Sequence, residues 1–315
     1  SSASASPSNR VLLGSSSPAA ITLYTSVTQA TADATVAAFK KAHPATAVTV
    51  FRAATGALNA RIAADQRSGG LRADVLWVSD PLTMHGYDTQ GLLAKYDPPS
   101  ASALPAADRT ATFNAAGLLF VVAIYHKGTT PVPASWSDLG NPAYKNGVVI
   151  PNPGFAGSAL GALGYFGRNP AFGLDFYRGL KAAGATQVQS PDDVVTAVAQ
   201  GRAKVGMTLA DSALAAAKKG SPIVVVWPQP GAIAIYSPIG LTTTSKHVAA
   251  AQSFVDFTLS APGQEAIASM GRQPARPGVA GGPLPPNVPV VTPDWSAVFG
   301  DAGSLLKSYQ GIFGQ

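Results

Sequence analysis

The chain has 315 residues, 46% hydrophobic and only 12% charged, which excludes a disordered protein and leaves room for two domains of ordinary size. It contains no cysteine, so disulfides, thiolate nucleophiles and cysteine-based metal centres are excluded, and no apolar run reaches the about 18 residues a membrane-spanning helix needs. The net charge of +6 is scattered, with Lys40-Lys41 and Lys218-Lys219 as the only basic doublets, so the concentrated stripe that nucleic acid requires is missing.

Residues 1–19 form a Ser/Ala/Pro tract without apolar periodicity. It reads as a flexible tether, left after removal of a secretion signal and of a lipid-modified cysteine that would hold the chain at a membrane. Ile21 to Thr25 alternates like a strand, and the hydroxyls of Ser26 and Thr28 are placed to cap the helix that follows, which His43-Pro44 ends. Thr46 to Phe51 is the next strand, Thr55-Gly56 starts a second helix, and Arg72 to Val78 is a third strand ending at Ser79-Asp80. This βαβαβ alternation predicts a mostly parallel sheet flanked by helices, with ligands at the carboxyl ends of its strands.

The apolar run Leu118 to Tyr125 leads away from this unit and marks a crossover. Gly147 to Ile150 is a buried strand, Pro151 to Ser158 a turn-rich loop, and the run after Ser158 a helix. Phe172, Phe176 and Leu180 set the next amphipathic helix, Pro191-Asp192-Asp193 opens another, Ala203 to Leu209 returns as a strand, and Asp211 begins a helix. Ile223 to Trp227 and Ala232 to Tyr236 are strands carrying the chain back, followed by helices over Val248 to Leu259 and Gln264 to Met270. No internal repeat is present.

Several short segments in this order are diagnostic together: Thr55-Gly56-Ala57-Leu58, Ala73-Asp74-Val75-Leu76, Asn141-Pro142-Ala143-Tyr144-Lys145, Pro151-Asn152-Pro153, Ala199 to Gly206, Ala261-Pro262-Gly263-Gln264-Glu265 and Pro274 to Val279. Over Ile21 to Val279 the chain resembles the ferric-ion-binding-type periplasmic solute-binding proteins of ABC transporters. The resemblance implies an α/β, two-lobed periplasmic-binding-protein fold of type II, each lobe a mixed, mostly parallel sheet flanked by helices. Residues 20–122 and 233–280 are expected to form one lobe, 123–232 the other, each with a sheet of its own, and 281–315 a C-terminal extension packing on both. It implies an extracytoplasmic, monomeric binding protein, not an enzyme, whose partners are a small-molecule ligand and an ABC permease.

The chain departs from the family at the metal. Iron-holding members use two adjacent tyrosines after the strand that here is Ala203 to Leu209, and a histidine in the first strand–helix turn. Ala210 and Asp211 stand at the tyrosine positions and Thr28 at the histidine position, so no metal and no cofactor are expected. The alternatives are a ferric-binding protein with altered ligands and an enzyme on the same scaffold.

Chemistry at the strand ends narrows the ligand. Ser26, Thr28, Thr55, Gly56 and Ser158 lie at helix starts, where unpaired N–H groups and the helix dipole favour an anion, although each is equally suited to plain capping. Ser79, Asp80, Gln189, Asp211 and Tyr236 complete the candidate set, Asp211 to meet a polar or cationic part of the ligand. The expected cargo is a phosphorylated, phosphonate or carboxylate compound held by Ser158 and Thr55 from opposite lobes. His43, His85, His126 and His247 are too dispersed for a local metal pair, and neither a P-loop ending nor a Gly-x-Ser-x-Gly elbow is present.

Overall fold

A computed structural model describes residues 19–314; the expected tether, apart from Ala19, lies outside the described residues. Ala19 already belongs to the first strand, β1 (Ala19–Thr25). It is followed by α1 (Gln29–Ala42), β2 (Thr46–Arg52), α2 (Thr55–Arg67), β3 (Val75–Trp77) and α3 (Pro81–Thr89). After short 3-10 turns come β4 (Phe113–His126), β5 (Val148–Pro151), α4 (Gly157–Arg168), α5 (Asp175–Ala182), β6 (Thr186–Val188), α6 (Pro191–Ala199), β7 (Val205–Leu209) and α7 (Ala210–Lys218). The chain finishes with β8 (Ile223–Val226), β9 (Ala232–Leu241), α8 (Val248–Leu259), α9 (Ala261–Ser269), β10 (Val290–Val291) and α10 (Trp295–Phe313).

Local chemistry explains most of these boundaries. Thr28 caps α1 and the helix stops at His43, before a proline that cannot continue it. Asp80 and Ser190 cap α3 and α6, and each is followed by a proline whose missing N–H costs nothing at the first helical position. Every residue of β9 is buried, which suits a strand covered on both faces.

The sheet order is β2-β1-β3-β9-β4-β7-β5-β6, with β10 beside β9 and β8 beside β4. Both flanks are parallel: β1 pairs β2 and β3, and β5 pairs β6 and β7. The centre is antiparallel, because β4 and β9 run through both halves. The first part of β4 pairs β9 over Phe113 to Val121, and its end pairs β7 and β8 over Val121 to His126. The fold is the expected two-lobed α/β type, but the halves do not carry separate sheets: one hydrogen-bonded path crosses between them on these two long strands.

The C-terminal segment joins both halves as well. Trp295, Val298 and Leu305 of α10 sit over Gly161, Gly164 and Gly167 of α4, while Phe299 stacks on His85 of α3 with ring centroids 4.4 Å apart. Arg168 pairs with Asp301 across the α4–α10 contact.

Candidate ligand-binding site

The carboxyl ends of β1, β3, β5 and β7 point toward the junction of the two halves, and the helices α1, α3 and α7 begin directly at three of them. Ser26 and Ser79 lie side by side there. Their hydroxyl oxygens are 3.0 Å apart, the Ser79 N–H donates to Ser26 Oγ at 3.0 Å, and the Ser79 hydroxyl donates to the Ser26 carbonyl at 3.1 Å. This pair ties two strand ends together. Thr28 is a cap in fact: its hydroxyl accepts from Thr31 N at 3.4 Å and lies 2.8 Å from the Thr31 hydroxyl.

Two helix caps are not where the sequence suggests. Ala54, not Thr55, caps α2, and Ala156, not Ser158, caps α4; neither makes a side-chain capping bond. Alanine offers no acceptor, so the first N–H groups of both helices lack a side-chain partner. Thr55 is the first residue of α2 and Ser158 the second of α4, buried at 5% exposure, while Gly56 is exposed with open space beside it.

Asp80 is fully buried, its Oδ2 accepting from Thr83 N at 2.8 Å and its Oδ1 without a hydrogen-bond partner. Gly157, the first residue of α4, lies against that free oxygen so closely that a Cβ would collide with it. Burial raises the Asp80 carboxyl above the ordinary range, against the opposing effect of the Thr83 N–H. Tyr236 is buried in β9 with an unpartnered hydroxyl, its ring 5.7 Å from that of Trp295 and edge-on to it. Burial, then the negative charges of Asp108 and Asp80, push the Tyr236 phenol far above its ordinary value.

Asp211 forms an ion pair with Arg272, Nη1 to Oδ2 2.9 Å, with side chains only 12% and 17% exposed. Burial raises the Asp211 carboxyl and the Arg272 charge partly offsets this. Gln189 is exposed just beyond β6. Thus Ser26 meets Ser79 and Asp80 meets the loop beside Ser158, whereas Gln189 has no candidate partner. Thr28, which the resemblance sets at the histidine position, is spent on its cap and Asp211 on Arg272, and no group of three or more His, Cys, Asp or Glu side chains that could hold a metal occurs among the described residues.

A cavity of about 350 Å³ lies between α2 and α3 on one side and the loop leading into α4 on the other. Thr55, Asn59, Thr83, Tyr87, Phe155 and Gly157 line it, so the starts of three helices face one space. The lining carries hydroxyls, amides and aromatic faces and no charged side chain. A larger hollow of about 560 Å³ sits at the other ends of β1 and β3, near Thr22, Arg72, Asp74 and Lys246. Asp74 is already committed there to Thr22 N at 2.7 Å and Ser245 Oγ at 2.7 Å, and the hollow is remote from the strand ends where this architecture binds ligands.

The family model described as bacterial extracellular solute-binding protein matches residues 21–273. The chain belongs to this family. Solved solute-binding proteins share its fold: the periplasmic protein AfuA from Actinobacillus pleuropneumoniae, solved with fructose-6-phosphate bound, has a TM-score of 0.82 at 18% identity, covering 94% of this chain and 98% of that one. Iron-bound HitA from Pseudomonas aeruginosa gives 0.80 at 24% identity, covering 94% and 99%. A spermidine/putrescine-binding periplasmic protein of Salmonella typhimurium is 28% identical over 130 residues, 40% of this chain and 37% of that protein. The chain therefore spans well under half the length of the curated relatives it matches. AfuA is solved with a sugar phosphate, HitA with iron, and the Salmonella protein is named for polyamines, so the family is settled by similarity and the cargo is not.

Five contributors to this solute-binding protein's junction escaped the sequence reading. Arg272 is a lone arginine after a helix, Trp295 lies in a segment read only as an extension, and Asn59, Thr83 and Tyr87 form one wall only because α2 and α3 pack side by side. A helical spacing of four between Thr83 and Tyr87 was the single available signal.

Proposed function

We propose that this solute-binding protein captures a small organic anion, a phosphorylated, phosphonate or carboxylate compound, between two lobes outside the cytoplasm, and that an ABC permease receives it from the closed form. Residues 20–122 with 233–280 act as one lobe and 123–232 as the other, turning on β4 and β9. The observation that carries this reading is the convergence of three helix starts, at Thr55, Thr83 and Gly157, on one cavity, with α2 and α4 lacking side-chain caps. Unpaired N–H groups and the positive helix ends favour an anion in this cavity, whose own lining carries no charged side chain. The volume of about 350 Å³ is that of a small-molecule pocket.

Calorimetry with inorganic phosphate, fructose 6-phosphate, 2-aminoethylphosphonate, citrate and spermidine tests the reading. Thr55→Ala removes a hydroxyl from the lining and should weaken the best anion by about 1.5–3 kcal/mol, roughly ten- to a hundredfold, through loss of a donor to a charged acceptor. Ser158, expected to share this role, is buried and does not line the cavity. Unchanged affinity in Thr55→Ala would defeat the anion reading. A cationic cargo is the second reading, supported by one observation: the buried, unpartnered Asp80 Oδ1, with Asp108 and the Tyr236 ring in its neighbourhood. Tight binding of spermidine with no response to the four anions would select it.

A further inference from the structure

The Asp211–Arg272 pair lies beside β4, and neither residue lines the cavity of about 350 Å³. Leu209, two residues before Asp211, pairs with Val121 of β4, and Gln273, next to Arg272, bridges to Leu118 of the same strand. The two charges therefore flank the stretch of β4 that passes from one half of the molecule to the other. Asp211 belongs to α7, which packs on β8, β4 and α6, whereas Arg272 follows α9, which packs on α1 and α8. The contact is made across the junction and not within either half.

Its quality is unusual for so sheltered a pair. Nη1 approaches Oδ2 at 2.9 Å, yet neither carboxylate oxygen of Asp211 accepts an aligned hydrogen bond. An arginine presents five donors in a planar fork that matches a carboxylate or phosphate two at a time, and it cannot shed its charge. Here proximity of charge, not the fork geometry, holds the partner. A guanidinium 17% exposed requires some anion, and Asp211 supplies a poorly fitted one.

We propose that Arg272 is the anchor for the anionic group of the ligand, and that Asp211 holds this anchor in the unliganded protein until a phosphoryl or carboxylate group takes its place. The proposal rests on the anionic reading above. Asp211 is then a competitor for the site and not a ligand contact, which replaces the role the sequence suggested for it. The exchange gives the arginine a better-fitted partner and frees Asp211 to turn toward solvent, so removing the competitor and removing the anchor have opposite consequences.

The full chain is titrated with inorganic phosphate and fructose 6-phosphate, with spermidine as control, in wild type, Asp211→Asn, Arg272→Gln and the double variant. Asp211→Asn should bind the phosphate probes at least threefold more tightly, Arg272→Gln at least tenfold more weakly, and the double variant as weakly as Arg272→Gln. Arg272→Lys keeps the charge but loses the fork and should fall between; it carries the test if the glutamine variant does not fold by circular dichroism. Equal weakening by Asp211→Asn and Arg272→Gln overturns the proposal, as does an Asp211→Asn variant that neither probe binds at millimolar concentration. Phosphate binding that survives intact in Arg272→Gln refutes the anchor while leaving anion capture standing. Spermidine binding with no phosphate response in any variant refutes the anionic reading itself.

Discussion

Asp80 does two opposed things with one carboxylate. Oδ2 caps α3 through Thr83 N, which favours the charged form, while Oδ1 is sealed against Gly157 without a partner, which disfavours it. Burial prevails, and the carboxyl is raised above its unfolded value. The sign follows from linkage: the folded state binds this proton more tightly, so the residue costs stability above its folded pKa and the cost fades as pH falls toward the ordinary aspartate range. Asparagine caps equally well and carries no charge. Asp80→Asn should therefore raise the melting temperature at pH 7 to 8, with the gain shrinking steadily toward pH 4. A gain independent of pH, or a loss at neutral pH, would show that Oδ1 is not held as an unpaired charge.

Among the elements, the α4–α10 contact depends most on single atoms. A Cβ on Gly161 would lie 3.4 Å from Trp295 and 2.7 Å from Ile235 of β9, one on Gly164 2.6 Å from Val298, and one on Gly167 2.8 Å from Leu305. Gly164→Ala gains about 1 kcal/mol of helix propensity, against about 1–3 kcal/mol of overpacking. Gly164→Leu offers no such balance and should lower stability in urea by at least 2 kcal/mol, with partial recovery when Val298→Ala is added; absence of recovery would place the damage elsewhere. These elements also show how far the sequence could be read. α8 was legible to the residue because its apolar pattern is regular, and the βαβαβ start followed from alternation. β4 was read too short, since Asn114-Ala115-Ala116-Gly117 carries no strand signal; Phe113 to Ala115 are recruited by pairing with β9, and Ala116-Gly117 fall at an irregularity in that pairing. α10 was not read at all: Gly300, Gly303 and Gly311 weaken its helical signal, and packing on α4 overrides them. Within the candidate site the strand ends were legible; at Thr55 and Ser158 the sequence allows either anion contact or capping, and the capping alternative falls because the cap positions go to Ala54 and Ala156, which nothing in the sequence marks, while Arg272 is brought to Asp211 only by tertiary structure.

At the scale of the molecule, one hydrogen-bonded sheet and one hydrophobic cluster running from Ile21 through Leu163 and Val205 to Tyr309 join what the family architecture treats as two lobes. Cooperativity should follow that continuity. Scanning calorimetry is expected to give a single transition with equal calorimetric and van't Hoff enthalpies, and two resolved transitions would show that the halves melt independently. The position of α10 in the chain has a separate consequence for how the protein is made. Its side chains fill the glycine-floored groove of α4 and meet His85 of α3, and both of those helices are translated more than a hundred residues earlier. Until α10 has left the ribosome the groove stays open to solvent, so a nascent chain cannot reach its final packing before then, and any machinery that must handle the polypeptide unfolded can act up to that point.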